Sequence, residues 1–222
     1  GSIGDAVLRK EDRKLLLGNG RFVDDIHVAG ELHAVFVRSP HAHADIASID
    51  TSVAAALPGI VSILTGTDME ADGLGEIPFM WIMNNSDGSP MNQPKRWGLA
   101  RNRVRHVGEP VAVVIADSVA EANDAAEAVM VDYTPRPAVT SARAALEPAA
   151  PLLHDDAPGN RIYTFGRGNA DAADAAIAGA AHVIEIEIVN NRIACAAIET
   201  RACLAVPDPA SSMVTLYDAT QA

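Results

Sequence analysis

Histidines, cysteines and clustered acids are the side chains with which a protein most often holds a metal or moves a proton, and this chain has seven histidines and two cysteines. His41-Ala-His43 puts two imidazoles on one side of a strand, where they could chelate zinc or copper. A third ligand in sequence range would be His33 or Asp45, and nothing fixes either in place, so strand-edge histidines are the simpler reading. His106 lies in the polar turn Val104-Arg-His-Val-Gly-Glu-Pro110, where Glu109 and Arg105 could pair and no nucleophile stands nearby to be activated. Cys195 and Cys203 fall short of the thiolate set of an iron–sulfur cluster and of the close cysteine and histidine spacing of structural zinc. They are expected to be reduced, packed thiols in a reducing compartment. No Gly-x-Ser-x-Gly elbow, Walker loop or His-Glu-x-x-His is present, and Gly18-Asn-Gly20 and Gly166-Arg-Gly168 each lack a third glycine.

The elements that must position such residues are bounded by composition. At 222 residues the chain is long enough for one large domain or two smaller ones. Nearly half of it is apolar (49%), and its net charge of −12 argues against a nucleic-acid or anionic-membrane partner, because phosphates would be repelled. No apolar run approaches the roughly 18 residues of a membrane span. The segment Gly1–Lys10 has no signal-peptide core, which makes the cytoplasm the expectation.

Leu32–Arg38, Ala44–Asp50 and Gly59–Thr65 read as strands, with a short helix Ser52–Leu57 capped by Thr51 and ended by Pro58-Gly59. Residues 66–103 change character. Met69–Asn92 is rich in glycine, proline and asparagine, shows exposed-looking Phe79, Met80 and Trp81, and reads as a functional or docking loop. Val111–Ala116 is a continuous apolar strand of the parallel, doubly buried type. Ser118-Val-Ala-Glu121 is a capping box opening a helix with Val119, Ala122, Ala126 and Val129 on one face. Val129–Tyr133 returns as a strand, so the pattern predicts a β-α-β unit with a right-handed crossover. Prolines and alanines over 135–160 mark a boundary. Beyond it come a helix near Ala170–Ala181 and a strand His182–Val189, in which Ile184, Ile186 and Ile188 oppose Glu185 and Glu187. A hairpin over Glu199–Ala222, turned by Pro207–Ser212, would pair with that strand. Its second strand stops one residue after a glutamine with no polar tail, which gives the expectation of a chain interrupted inside something larger.

Seven phrases carry a resemblance. They include Asn19-Gly-Arg-Phe-Val-Asp-Asp-Ile26, Leu32-His-Ala-Val-Phe-Val-Arg-Ser-Pro-His-Ala-His-Ala44 and Leu57-Pro-Gly-Ile-Val-Ser-Ile-Leu-Thr-Gly66. Val104-Arg-His-Val-Gly-Glu-Pro-Val-Ala-Val-Val-Ile-Ala116, Val131-Asp-Tyr-Thr-Pro135 and Val189-Asn-Asn-Arg192 follow in order. Together they resemble the N-terminal part of the molybdopterin-binding large subunit of the xanthine dehydrogenase, aldehyde oxidase and carbon monoxide dehydrogenase family. The resemblance implies an α+β fold, with an α/β hammerhead domain followed by the beginning of a second α+β molybdopterin-binding domain. The expected division is an arm over 1–14, the hammerhead over 15–135, a linker over 136–160 and the truncated molybdopterin-binding domain over 161–222.

The same resemblance implies an oxidoreductase that hydroxylates a carbon of an aldehyde or N-heterocycle, or oxidises carbon monoxide, with oxygen taken from water. Its cofactor would be a molybdenum–pterin dinucleotide in the full-length protein, with none held by this fragment, which would be inactive alone. FAD and 2Fe-2S clusters would sit on partner subunits, and the complete complex would be a homodimer. Tyr217-Asp-Ala-Thr-Gln221 is similar to the family's Ser-Thr-Gln segment, whose glutamine approaches the molybdenum oxo group, so Gln221 is the matching cofactor-binding residue. An amide can donate there without adding charge. Glu199-Thr-Arg201 resembles a Met-Glu-Pro-Arg phrase, with Ile198 and Thr200 departing from it, and Glu199 is read as a buried structural carboxylate. The alternative is a non-catalytic α/β assembly module that docks a flavin or iron–sulfur subunit.

Overall fold

The computed structural model describes residues 3–197 and 199–220. The chain divides into two compact units, one built from residues up to Glu31 together with those from Ile184 on, the other from Leu32–Val183. In chain order the elements are α1 (Asp12–Leu16), a 3-10 turn (Val23–Asp25), β1 (His33–Arg38), β2 (Ala44–Asp50), α2 (Ser52–Ala55), β3 (Ile60–Thr65) and α3 (Gly66–Ala71). They continue with β4 (Arg103–Val104), β5 (Pro110–Ala116), α4 (Val119–Ala128), β6 (Met130–Pro135), α5 (Ala142–Ala145), α6 (Ala170–Ala178), β7 (Cys203–Pro207) and β8 (Val214–Asp218).

The larger unit contains two antiparallel three-stranded sheets, ordered β1-β5-β3 and β4-β2-β6. In the first, Val35, Val114 and Ile63 lie abreast, and α4 packs over them with Ala122 and Ala125 fully buried. Alanine at those positions lets the helix approach the sheet closely. Burying Val114 completely contributes about 1.5–3 kcal/mol. A second cluster of Ala44, Ala100, Val104 and Val111 continues the core, and Val37, Ile49 and Val131 pack against both clusters.

The structure corrects several expectations from the sequence. β5 is the central strand of its sheet, and both its neighbours are antiparallel. Central position and helix cover explain its apolar run, which a parallel strand would share. β6 joins β2 in the other sheet, so β5-α4-β6 links two sheets and the crossover rule for parallel strands of one sheet does not apply. The Ser118 hydroxyl caps α4, accepting the Glu121 N–H at 3.2 Å and donating to Glu121 Oε2 at 2.7 Å. Val119 is 53% exposed, because the buried stripe runs through Ala122, Ala125 and Val129. Thr51 makes no side-chain cap; Asp50 Oδ1 accepts the Ser52 N–H instead, at 2.9 Å.

The long segment after β3 opens with α3, so Gly66–Ala71 is helical rather than loop. Asp68 accepts hydrogen bonds from both the N–H and the hydroxyl of Thr65, at 2.7 and 2.6 Å. Farther on the loop is pinned: Ser86 N–H donates to Thr164 O at 3.0 Å and Asn92 N–H to Ile162 O at 2.8 Å. Met80 and Trp81 are exposed, whereas Phe79 is half-buried beneath the Arg96 guanidinium.

In the smaller unit β7 and β8 form the expected hairpin, pairing Cys203 with Asp218 and Pro207 with Val214. The expected strand over 182–189 is absent. Ile184, Ile186 and Ile188 are 88%, 72% and 78% exposed, and the hairpin consists of β7 and β8 alone. An alternating apolar row becomes a half-buried strand only where a second layer covers it, and the described residues supply none. Cys195 and Cys203 are free thiols but exposed rather than packed. Cys203 alternates with half-buried Leu204 on β7 and so faces outward.

Candidate functional site

The hairpin is shaped at its closed end by Asp208. Its carboxylate accepts the Ala210 N–H at 2.9 Å and the Ser211 hydroxyl, while Asp208 N–H donates to Met213 O at 2.7 Å. The Ser211 hydroxyl bond, followed by the Ala210 N–H, holds this carboxyl below its ordinary range. At the open end the ladder runs one step past β8, as Ala219 N–H donates to Ala202 O at 3.1 Å. Glu199 lies just before that end, half-buried, and its Oε1 accepts the Val23 N–H at 3.1 Å. The 3-10 turn Val23–Asp25 also packs against β7. Asp25 Oδ2 in turn accepts the Phe22 N–H at 2.9 Å, which closes the turn on itself. Glu199, expected to be a buried carboxylate, is thus half-buried, with its Oε1 on the backbone of the 3-10 turn. Gln221, the expected cofactor residue, lies outside the described residues.

The histidine pair does not build a metal site. His41 and His43 precede β2 rather than lying on it, and they do different things. His41 packs against the Tyr133 ring, with centroids 4.9 Å apart. His43 is buried, its Nδ1–H donating to Pro137 O at 2.8 Å and its Nε2 unpartnered. Burial raises the pKa of Tyr133, and the Ser39 side chain beside its hydroxyl works against that rise. Around His106, the Arg105 backbone N–H donates to Glu109 Oε2, but the Arg105 guanidinium turns to Leu153 O at 2.9 Å. Burial lowers the Arg105 pKa, and burial first, then Arg105, lowers that of His154.

One charged cluster escaped the sequence reading. Asp45 accepts from Arg103 Nε and from Arg136 Nη1, each at 2.7 Å, and Arg103 also reaches Asp155 at 3.3 Å. The Arg103 hydrogen bond, then that of Arg136, holds the Asp45 carboxyl below its usual range. No local signal could reveal this cluster, because its partners are 58 and 91 residues away. An open cavity of about 460 Å³ between the long loop and residues 158–164 is lined by Asn85, Asp87, Ser89, Asn92, Arg161 and Thr164. Its polar side chains are largely spent on the backbone and on one another: Asn85 donates to Pro90 O and to the Ser89 hydroxyl and accepts from Thr164 N–H, and Asn92 donates to Arg161 O. Among the described residues no group of three or more histidine, cysteine or acidic side chains could hold a metal ion.

A family model for the aldehyde oxidase and xanthine dehydrogenase a/b hammerhead domain matches residues 17–137, more than half of the chain. The chain belongs to the aldehyde oxidase and xanthine dehydrogenase family. A second model, for a molybdopterin cofactor-binding domain, matches residues 153–222. The nicotine 6-hydroxylase large subunit of Paenarthrobacter nicotinovorans is 37% identical over 99% of this chain and 26% of its own length. The carbon monoxide dehydrogenase large chain of Hydrogenophaga pseudoflava is 34% identical over 96% of this chain and 27% of its own. Among solved structures, quinoline 2-oxidoreductase from Pseudomonas putida 86 superposes with a TM-score of 0.82 at 35% identity, covering 98% of this chain and 27% of that one. The chain thus spans about a quarter of the length of the relatives it matches.

The open end of the hairpin carries Glu199, Thr200 and Arg201 before β7 and Asp218 and Thr220 at the end of β8. These are hydrogen-bonding side chains, and among the described residues no cluster of histidine, cysteine and acidic groups stands there to hold a bare ion.

Proposed function

We propose that this chain is the N-terminal portion of a molybdenum hydroxylase large subunit. In the complete protein it would contribute to oxidising a carbon centre, of an aldehyde or N-heterocycle, or carbon monoxide, with oxygen derived from water. What supports this reading above all is the succession of a hammerhead model over 17–137 and a molybdopterin-binding model over 153–222 in one chain. Bound to the complete subunit, a molybdenum–pterin dinucleotide would supply the redox chemistry. This chain's part in holding that group would fall to Gln221, whose neutral amide could donate a hydrogen bond to it without adding charge. The expected division, with the hammerhead over 15–135, a linker over 136–160 and the cofactor-binding region from 161, leaves that amide as the fragment's one active-site group.

The relatives are named as a large subunit, a large chain and subunit gamma of a dehydrogenase complex. Those names support partner subunits for this one; our reading further assigns flavin and 2Fe-2S clusters to them, and a dimeric, cytoplasmic complex to the whole. Isotope labelling tests the reaction class. The purified complex, turning over a substrate it accepts in ¹⁸O-water with a dye as electron acceptor, should place the label in product. Label arriving from ¹⁸O₂ instead would refute the proposal.

A further inference from the structure

The function proposed above gives no task to the long loop between β3 and β4. Its tip folds back on itself, with Asn85 N–H donating to Ser89 O at 2.7 Å and Met91 N–H to Met83 O at 3.2 Å. Asn85 uses both ends of its amide. Nδ2 donates to Ser89 Oγ at 3.0 Å and to Pro90 O at 2.9 Å, which closes the tip, while Oδ1 accepts the Thr164 N–H at 2.7 Å. The amide is planar, so the rotation that points Nδ2 at Pro90 also points Oδ1 at Thr164, and turning it gives up both sets of bonds. Around that bond the tip meets the chain over 161–164. Ser86 N–H donates to Thr164 O at 3.0 Å, Asn92 N–H to Ile162 O at 2.8 Å and Asn92 Nδ2 to Arg161 O at 2.8 Å. Closer to β4, Lys95 N–H reaches Asp156 Oδ2 at 3.4 Å and Arg105 Nε donates to Leu153 O at 2.9 Å. One side of every such bond lies inside the hammerhead match, 17–137, and the other inside the molybdopterin-binding match, 153–222.

We propose that the long loop is an internal strap with Asn85 as its keystone. It clamps the entry of the molybdopterin-binding region, residues 161–164, onto the hammerhead, and the tip and that entry open and close as one unit. The inference goes beyond the reaction proposed above and does not depend on it. The strap's occupant is a segment of this same chain, which gives the loop a joining task in place of the docking task read from its composition. Shared bonds make the unit cooperative. Lifting 161–164 away strips Asn85 Oδ1 of its donor and frees the amide to rotate out of the tip. Opening the tip, in turn, withdraws the Ser86 and Asn92 donors from Thr164 and Ile162. The hammerhead thereby becomes the fixed base on which the cofactor-binding region begins.

Amide exchange in the complete large subunit, within its complex, tests this with variants that strain one side without touching the other. Gly88, at the turn of the tip, has φ +84, and Gly159, just before 161–164, has φ +64. A Cβ on either would meet open space, so alanine there adds backbone strain alone. Gly88→Ala should speed exchange in the peptide carrying Thr164 by about fivefold to tenfold, and Gly159→Ala should do the same in the peptide spanning 83–91. Asn85→Ala, which takes out the keystone, should speed both by about tenfold or more. Gly73→Ala brings the same kind of strain, at φ +76, into the loop outside the strap, and should leave the Thr164 peptide within about twofold of wild type. A Thr164 peptide that is unchanged in Gly88→Ala overturns the proposal, as does an 83–91 peptide that is unchanged in Gly159→Ala. So does a Gly73→Ala variant that speeds the Thr164 peptide as much as Gly88→Ala, because the domain would then loosen as a whole. Should Asn85→Ala not assemble, the glycine variants decide alone.

Discussion

Replacing Gly59 with alanine tests whether the turn before β3 and the start of α4 are one mechanical unit. Gly59 has φ +73, and a Cβ there would fall inside contact distance of the Glu121 carboxyl, which is itself held by the Ser118 hydroxyl at 2.7 Å. Two costs arise. Alanine in the left-handed region loses about 1 kcal/mol, and displacing Glu121 from Ser118 weakens the helix cap by about another 1 kcal/mol. A cramped neighbour that cannot fully relax brings the sum to roughly 2–3 kcal/mol. For a chain of this size that corresponds to a fall in Tm of roughly 4–12 °C. Thermal and urea unfolding followed by circular dichroism would measure it. Glu121→Ala in the Gly59→Ala background removes the collision and leaves the backbone strain, so there the glycine substitution should cost only about 1 kcal/mol. A Gly59→Ala protein within about 0.5 kcal/mol of wild type would refute the reasoning, since neither strain nor collision would then be felt.

Asp45→Asn should destabilise the chain at neutral pH, because it leaves Arg103 and Arg136 without their shared carboxylate. The depressed Asp45 pKa means that its stabilisation is present above the ordinary carboxylate range and lost as pH falls through the lower folded-state value; urea unfolding should therefore find the gap between variant and wild type closing below pH of about 4. Tyr133→Phe should lower Tm by about 2–4 °C at most, because the Ser39 hydroxyl that the phenol meets is already bonded to the His41 backbone. A larger loss of Tm would mean that the hydroxyl is more firmly bonded. Cys195 and Cys203 should both react with a thiol reagent in the native chain without denaturant, at rates close to those of the unfolded chain; a slow phase that denaturant accelerates would contradict their exposure.

β3 and β5 were legible because each is an apolar run, the one between Gly59 and Gly66 and the other opening at Pro110, whereas the two-residue β4 has no such run. The cap of α4 was legible because its residues lie three apart. How the strands are shared between sheets was not: β5 and β6 flank one helix yet belong to different sheets, and only tertiary packing decides that. α1 and α3 were missed because each is a short helix without a buried stripe of large apolar residues to announce it. The row Ile184, Ile186, Ile188 misled in the opposite direction, since alternation says what a strand would bury and not whether a surface is there to bury it. The reading of Gln221 as a cofactor residue rests on family likeness alone. The bond between Val23 and Glu199 and the Asp45 cluster join residues too distant in sequence for any spacing rule.

The central claim is that this chain forms part of a subunit that binds molybdenum through a pterin. It is tested most directly by metal and pterin analysis of the complete complex purified from cells grown with ample molybdate. Molybdenum and pterin co-purifying in equal amounts with the large subunit is the result this account requires. A folded, fully assembled complex that contains neither would contradict it.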